Sequence, residues 1–106
     1  MLFKKEKKTL VNSFDLLHQV VIKNDETFTQ MKELSDILVE GKPVLAVFSD
    51  VEDEVFGTHV LAFLSGVVYA LDGDVFQISV ESFLFASKAA LEDGSLEEYI
   101  KEVGDN

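Results

Sequence analysis

Histidine is the side chain best suited to act as a general base near neutral pH, and this chain holds two, His18 and His59. Neither lies beside a serine or an acid in a recognisable catalytic signature, and His59 fits a packing or interface position. The chain has no cysteine, which excludes thiolate nucleophiles, and its six glycines are scattered singly instead of forming a phosphate-binding loop. The sequence predicts a protein that is not an enzyme and uses no cofactor.

One short segment is rich in carboxylates. SDVEDE, residues 49–54, holds four acids in five positions. One interpretation is a cation site, although the spacing of a calcium loop, with its central glycine, is absent. The other is a helix start, where acids are favoured by the positive end of the helix dipole. We favour the helix start and predict no metal site.

Charge is unevenly distributed along the chain. The net charge is −11, and four of the nine basic residues lie between positions 4 and 8, with no arginine anywhere. From residue 9 onward, five lysines stand against nineteen acids, a net charge of −14. Such a body repels phosphate backbones and lacks the arginines that read guanine, so we expect no nucleic-acid binding. A basic or neutral protein is the expected partner, and the lack of cysteine fits a reducing compartment such as the cytoplasm.

The first seventeen residues are predicted to form a tail or a short amphipathic segment. MLFKKEKK places charges where the apolar core of a signal peptide would run. Lys4 and Lys5 could contact an anionic membrane surface while Leu2 and Phe3 insert, which would make a weak tether. A solvated tail that only keeps the chain soluble is the alternative.

The rest of the chain, residues 18–106, is predicted to be one α/β domain, because 106 residues supply a single modest core. QVVI (19–22) is a β-branched first strand, and KPVLAVF (42–48) is the continuously apolar run of a central strand. VFQISV (75–80) alternates, with Phe76, Ile78 and Val80 on one side, and SFLFA (82–86) is its partner strand. The expected fold is a small two-layer sandwich of βαβαββ order with a C-terminal helix.

Capping-box spacing marks the first and last helices. Thr27 and Gln30 precede a run with apolar residues on one helical face, and Ser95 and Glu98 begin a similar run near the C-terminus. Both pairs predict helix starts in which the two side chains bond reciprocally to the backbone.

The seventeen residues from Val55 to Leu71 contain no Asp, Glu, Lys or Arg. As a helix, their large apolar groups cover roughly 160°, whereas packing on one sheet face needs about 100°. Acidic flanks and internal polar residues argue against a membrane span. The surplus surface is covered either by a neighbouring helix of the same chain or by a second copy in a dimer, which we favour. Small residues four apart would let the partner backbone approach closely: Thr58, Ala62, Gly66 and Ala70.

At this helix end the sequence resembles the SepF family of cell-division proteins. FLSGVVYALDGD (63–74) is similar to the most recognisable segment of the family, a helix end that runs into a Gly-Asp turn. ELSDILVEGKPV (33–44) is similar to its first helix and central strand, and DVFQISVESFLFAS (74–87) to its final strand pair. The likeness extends over about residues 19–87.

The resemblance implies a protein that dimerises, polymerises further, tethers to the inner face of the cell membrane at the division site and binds the C-terminal tail of the tubulin-like protein FtsZ. It implies that a glycine at the position of Gly66 lies where subunits meet, so we assign self-association to four residues of this helix, Gly66, Ala62, Val67 and Tyr69. It also implies that an aromatic residue of the last strand lines the tail-binding pocket, so we assign partner binding to three strand residues, Phe83, Gln77 and Phe85. Many members carry a basic residue where this chain has Gln77. The alternative is a small dimeric ligand-sensing domain, which the same βαβαββ order also suits.

Overall fold

One mixed sheet organises the fold of the computed structural model, which describes residues 11–24 and 28–104. The sheet order is β1-β2-β4-β3. The strands are β1 (His18–Val21), β2 (Val44–Val47), β3 (Asp74–Ser79) and β4 (Ser82–Ala86). β1 pairs with β2 in parallel, whereas β4 pairs antiparallel with both β2 and β3. The parallel pair requires a crossover, and a helix between the two strands supplies it.

Helices cover both faces of this sheet. In the described residues they are α1 (Thr29–Val39), α2 (Glu54–Ala70), α3 (Lys88–Leu91) and α4 (Ser95–Gly104), with one 3₁₀ turn at Phe14–Leu16. α1 and α2 pack on one face, and α3 and α4 pack on the other. The predicted α/β fold and the order of its elements are confirmed. The sheet and the α1/α2 layer make the expected sandwich, to which the C-terminal helices add cover on the second face.

The core is divided by the alternation of the two central strands. Val44, Ala46 and Phe85 are completely buried toward α1 and α2, while Leu45 and Leu84 point to the opposite side. The prediction of a central strand in KPVLAVF is therefore right, because β2 is covered on both faces. The larger buried cluster consists of Ile22, Met31, Leu34, Leu38, Val44, Ala46, Val60, Leu64, Val68 and Phe85. The smaller consists of Leu45, Leu84, Ala86, Ala90 and Leu96.

The structure differs from the sequence prediction at the end of β3. The strand stops at Ser79, and Val80 lies in the turn with 86% of its surface exposed, so it does not share the face of Phe76 and Ile78. The Ser79 and Ser82 hydroxyl oxygens are 2.7 Å apart across this turn. A register shift between Gln77 and Ser79 accompanies the turn. The prediction was wrong at Val80, because the alternation in VFQISV ends one residue earlier, at Ser79.

The N-cap of α1 lies one residue later than predicted. Its N-cap residue is Phe28, which has a positive φ of 63° and no side-chain cap bond, and Thr27 lies outside the described residues. The Gln30 side chain instead bridges to β1. Its Nε2 donates to the Val21 carbonyl (3.0 Å), and its Oε1 accepts from the Lys23 N–H (2.9 Å). Gln30 therefore fastens helix to strand, a tertiary role that spacing along the chain does not reveal.

The start of α4 also has partners that are distant in sequence. The helix begins at Ser95 as predicted, but the Ser95 hydroxyl accepts from the Phe14 N–H (3.0 Å) and donates to Asp93 Oδ1 (2.8 Å). Asp93 Oδ2 accepts from the Ser13 N–H at 2.7 Å. Residues 12–17, which we call the N-terminal strap, are therefore held against α4.

Two further contacts define this attachment. The rings of Phe14 and Tyr99 pack with their centroids 5.2 Å apart. Backbone hydrogen bonds from Ser95 and then Ser13 lower the pKa of the Asp93 carboxyl from 3.8 to about 2, because both favour the charged form. The strap is thus joined to α4 by a charged hydrogen-bond acceptor and by an aromatic pair.

α3 is an element that the sequence analysis did not predict. It is four residues long and is capped by Ser87, whose hydroxyl accepts from the Ala90 N–H at 3.2 Å. The signal was present as a serine followed by Lys-Ala-Ala-Leu, residues that favour helix. So short a run lacks the repeated period by which a helix is usually detected.

Candidate functional site

The acidic segment before α2 is a helix start. Asp53 is the N-cap residue, and its Oδ1 accepts from the N–H groups of Val55 (2.9 Å) and Phe56 (3.4 Å). Glu54 follows in the first turn, where the helix dipole favours a negative charge. The helix-start interpretation of SDVEDE is confirmed.

From Val55 onward, α2 presents one buried face and one exposed face without Asp, Glu, Lys or Arg. Val60, Leu64 and Val68 are completely buried. On the other side, four small residues that we call the small-residue stripe are all exposed: Thr58, Ala62, Gly66 and Ala70. The position of a Cβ on Gly66 has no atom within 4 Å. α1 packs beside α2, yet no residue in the described part of the chain covers the stripe.

Larger side chains extend this exposed face. Tyr69 lies seven residues after Ala62, on the same side of the helix, with 56% of its surface exposed, and Phe63 is 45% exposed. Val67 is half-buried and packs against the edge of the core. Three of the four residues assigned to self-association, Ala62, Gly66 and Tyr69, therefore lie together on the exposed face, and Val67 lies at its border.

α2 is not long and apolar enough to cross a membrane. The helix has 17 residues. Nowhere in residues 11–24 and 28–104 is there a helix long and apolar enough to cross a membrane.

A cleft of about 270 Å³, which we call the Phe83 cleft, opens beside the first turns of α2. The rings of Phe48 and Phe83 meet edge to face in it, with centroids 5.7 Å apart and planes at 88°. Thr58 belongs both to this cleft and to the small-residue stripe, so the two features are continuous. The lining residues are Phe48, Val51, Glu54, Gly57, Thr58, Leu61 and Phe83.

The three residues assigned to partner binding differ in their surroundings. Phe83 lines the cleft. Gln77 is its neighbour across the β3–β4 pair, and the Gln77 side chain is exposed, with Nε2 donating to the Ser79 carbonyl at 3.1 Å. Phe85 is completely buried in the core, so it has no surface to offer to a partner and supports the sheet beneath the cleft.

Other lining residues were missed by the sequence analysis. Phe48 is the last residue of the central apolar run, and its N–H donates to the Glu81 carbonyl at 2.7 Å, which fixes the chain just after β2. Val51 is the apolar residue inside the acidic segment, and it packs against Gly57, where an added Cβ would lie 3.3 Å from Val51 Cγ1. An apolar residue within a run of acids is the signal that could have identified this wall.

The two histidines lie on different elements. His18 begins β1, and its Nδ1 is 3.2 Å from the Leu16 carbonyl oxygen. His59 is exposed on α2, next to the small-residue stripe. Neither residue lines the Phe83 cleft.

Sequence comparison adds an independent finding. The profile of the family described as "Cell division protein SepF" matches residues 20–90. Cell division protein SepF of Acetivibrio thermocellus is 37% identical over 68 residues, which are 64% of this chain and 43% of that protein. SepF of Listeria monocytogenes (serovar 1/2a) is 31% identical over 84 residues, which are 79% of this chain and 55% of that protein. The chain thus spans about half the length of the curated relatives it matches.

Comparison with solved structures gives the same fold. The SepF-like protein from Archaeoglobus fulgidus superposes with a TM-score of 0.60, covering 67% of this chain and 83% of that one. The sequence identity is 14%, so this similarity concerns the fold alone. The matched family segment contains the cleft, the small-residue stripe and all four strands except the first two residues of β1.

Proposed function

This chain belongs to the SepF family of cell division proteins, and we propose that it is a non-enzymatic scaffold that self-associates and binds the C-terminal tail of FtsZ. The observation that carries the proposal is the continuity of an exposed helix face, uncharged from Val55 to Ala70, with an apolar cleft that contains Phe83. One surface suits a second copy of the chain, and the other suits a short peptide.

Self-association is assigned to the exposed face of α2. Gly66 has open space where a side chain would stand, so the backbone of a second α2 can approach closely there. Phe63 and Tyr69 supply apolar surface on either side, and their burial would favour association. The four stripe residues carry no charge, so their own burial would desolvate no ionised side chain.

FtsZ-tail binding is assigned to the Phe83 cleft. The aromatic pair of Phe48 and Phe83 offers a partly exposed apolar surface of the kind that anchors peptides. The acidic body, with its net charge of −14 from residue 9 onward, would speed encounter with a segment that carries basic residues. We expect micromolar affinity, or about −8 kcal/mol.

Attachment to the cytoplasmic face of the membrane at the division site completes the proposal. It depends on Leu2, Phe3, Lys4 and Lys5, which lie outside the described residues. Four lysines near an anionic surface contribute about 1 kcal/mol each, which gives weak and reversible binding.

Calorimetric titration of an FtsZ tail peptide tests the partner assignment. Wild type should bind at micromolar concentration, and Phe83→Ala should bind at least tenfold more weakly, because the anchor ring is removed from the cleft. Phe76→Ala is the matched control, since it removes a half-buried ring from the paired strand on the opposite sheet face. Thermal melts of both variants establish that each is folded at the assay temperature.

The outcomes separate the two candidate functions. Equal binding by wild type and Phe83→Ala would make Phe83 a core residue only. If wild type does not bind the tail at high micromolar concentration, the partner assignment fails, and the ligand-sensing alternative takes its place.

A further inference from the structure

The Phe83 cleft has an apolar wall and one ionisable group. Phe48, Val51, Leu61 and Phe83 supply the apolar surface. Glu54 is the charged side chain among the described residues that line it, and it is exposed. At about 270 Å³ the cleft falls just below the roughly 300–1,000 Å³ usual for small-molecule sites, so it suits an inserted side chain better than a whole cofactor.

At the helix end beside the cleft, a carboxylate of the chain already occupies donors that an anion would use. The first N–H groups of a helix normally attract negative charge. Here Asp53 already accepts from two of them, those of Val55 and Phe56. An acidic ligand would therefore meet carboxylates at this end of α2, with Asp50 and Glu52 also exposed in the same segment.

Two residues of the β3–β4 hairpin, Gln77 and Glu81, adjoin lining residues of the cleft but do not line it themselves. Gln77, which pairs with Phe83 across the sheet, carries an amide whose Nε2 donates to the Ser79 carbonyl within its own strand. Glu81 lies in the turn between β3 and β4, and its backbone carbonyl accepts a hydrogen bond from the Phe48 N–H. The described lining of the cleft thus combines an apolar centre with one carboxylate, that of Glu54 on α2.

We propose that Glu54 determines the charge preference of this cleft. The ligand class is a peptide segment that places an apolar side chain between Phe48 and Phe83 and a lysine or arginine beside it, within reach of the Glu54 carboxylate. The inference rests on the proposed function, because it concerns the same cleft. It adds the residue that selects a basic over an acidic segment.

The test uses two labelled FtsZ tail peptides that share the apolar centre and differ in one flanking residue, either Lys or Glu. At low salt, wild type should bind the Lys peptide about three- to fivefold more tightly through its pair with Glu54, and more salt should reduce that ratio. Glu54→Gln should lose this preference while keeping the binding that comes from the apolar centre. Glu97→Gln is the matched control, because Glu97 is also an exposed first-turn acid but lies on α4.

Each result is decisive. The inference stands if Glu54→Gln equalises the two peptides and Glu97→Gln leaves the wild-type ratio unchanged. It is overturned if wild type binds both peptides equally, or if both variants reduce the ratio to the same extent, which would make the preference a property of net charge. It is also overturned if Glu54→Gln keeps the wild-type ratio. Failure of both peptides to bind wild type would overturn the proposed function as well, so the two failures are distinguishable.

Discussion

Gly66 is exposed on α2, and no atom lies within 4 Å of the position that an added Cβ would take. In the monomer, Gly66→Lys should raise stability by about 0.5–1 kcal/mol, because glycine is a poor helix former and no atom obstructs the new side chain. In a dimer the same lysine would be buried against the partner backbone, and association should weaken by at least about 3 kcal/mol. Light scattering measures the association. Urea unfolding at low protein concentration measures the stability of the monomer.

Val39→Lys is the control for this substitution. Val39 is 64% exposed on α1, so the same change in charge there should leave association intact. Wild type should be a dimer at concentrations on the order of tens of micromolar. A wild type that scatters as an 11.8 kDa monomer under these conditions would remove the basis of the self-association assignment.

The attachment of the N-terminal strap through Asp93 should depend on pH. Its pKa is lowered from 3.8 to about 2, so the hydrogen bonds contribute fully above pH 3.8 and are lost as pH falls through about 2. Ser13→Pro removes one donor at a residue whose φ of −61° proline accepts, and it should raise the Asp93 pKa part of the way. Carboxyl titration by NMR measures this shift. Ser13→Ala keeps the N–H and should change the pKa less; an unchanged value in Ser13→Pro would contradict the attachment.

At the scale of elements, α2 depends on its cap. Asp53→Ala should destabilise the fold by about 1 kcal/mol, because the Val55 and Phe56 N–H groups lose their acceptor. Urea unfolding measures the loss. Asp50→Ala, an exposed acid in the same segment that is not the N-cap, should cost little. An equal loss of stability in the two variants would mean that the negative charge of the segment, and not the cap, stabilises the helix start.

The elements also show what sequence periodicity can and cannot predict. β2 and α2 were predictable because long apolar runs leave few alternatives for their placement. The role of Gln30 was not, because its partners Val21, on β1, and Lys23, just after it, are brought to it by the crossover and not by spacing. The Phe83 cleft was only partly predictable, since its residues come from the β2–α2 connection, from α2 and from β4, which meet only in the folded chain.

The whole molecule has two distinct sides. The Phe83 cleft and the small-residue stripe lie on the α1/α2 side, whereas the N-terminal strap is attached to α4 on the other face of the sheet. Flotation with anionic vesicles should therefore be stronger for the full chain than for a variant lacking residues 1–8, with tail-peptide binding unchanged by the truncation. Equal flotation of both proteins would favour the solvated tail.

The attachment of the strap also determines how the molecule would carry mechanical load. A pull on the N-terminus reaches the Ser13 and Phe14 hydrogen bonds and the Phe14–Tyr99 contact before it reaches the β1–β2 ladder. Release of six strap residues would lengthen the connection by up to roughly 20 Å, at about 3.4 Å per extended residue. The strap would thus detach first and lengthen the connection. The sheet and the surfaces on its far side would stay folded under that force.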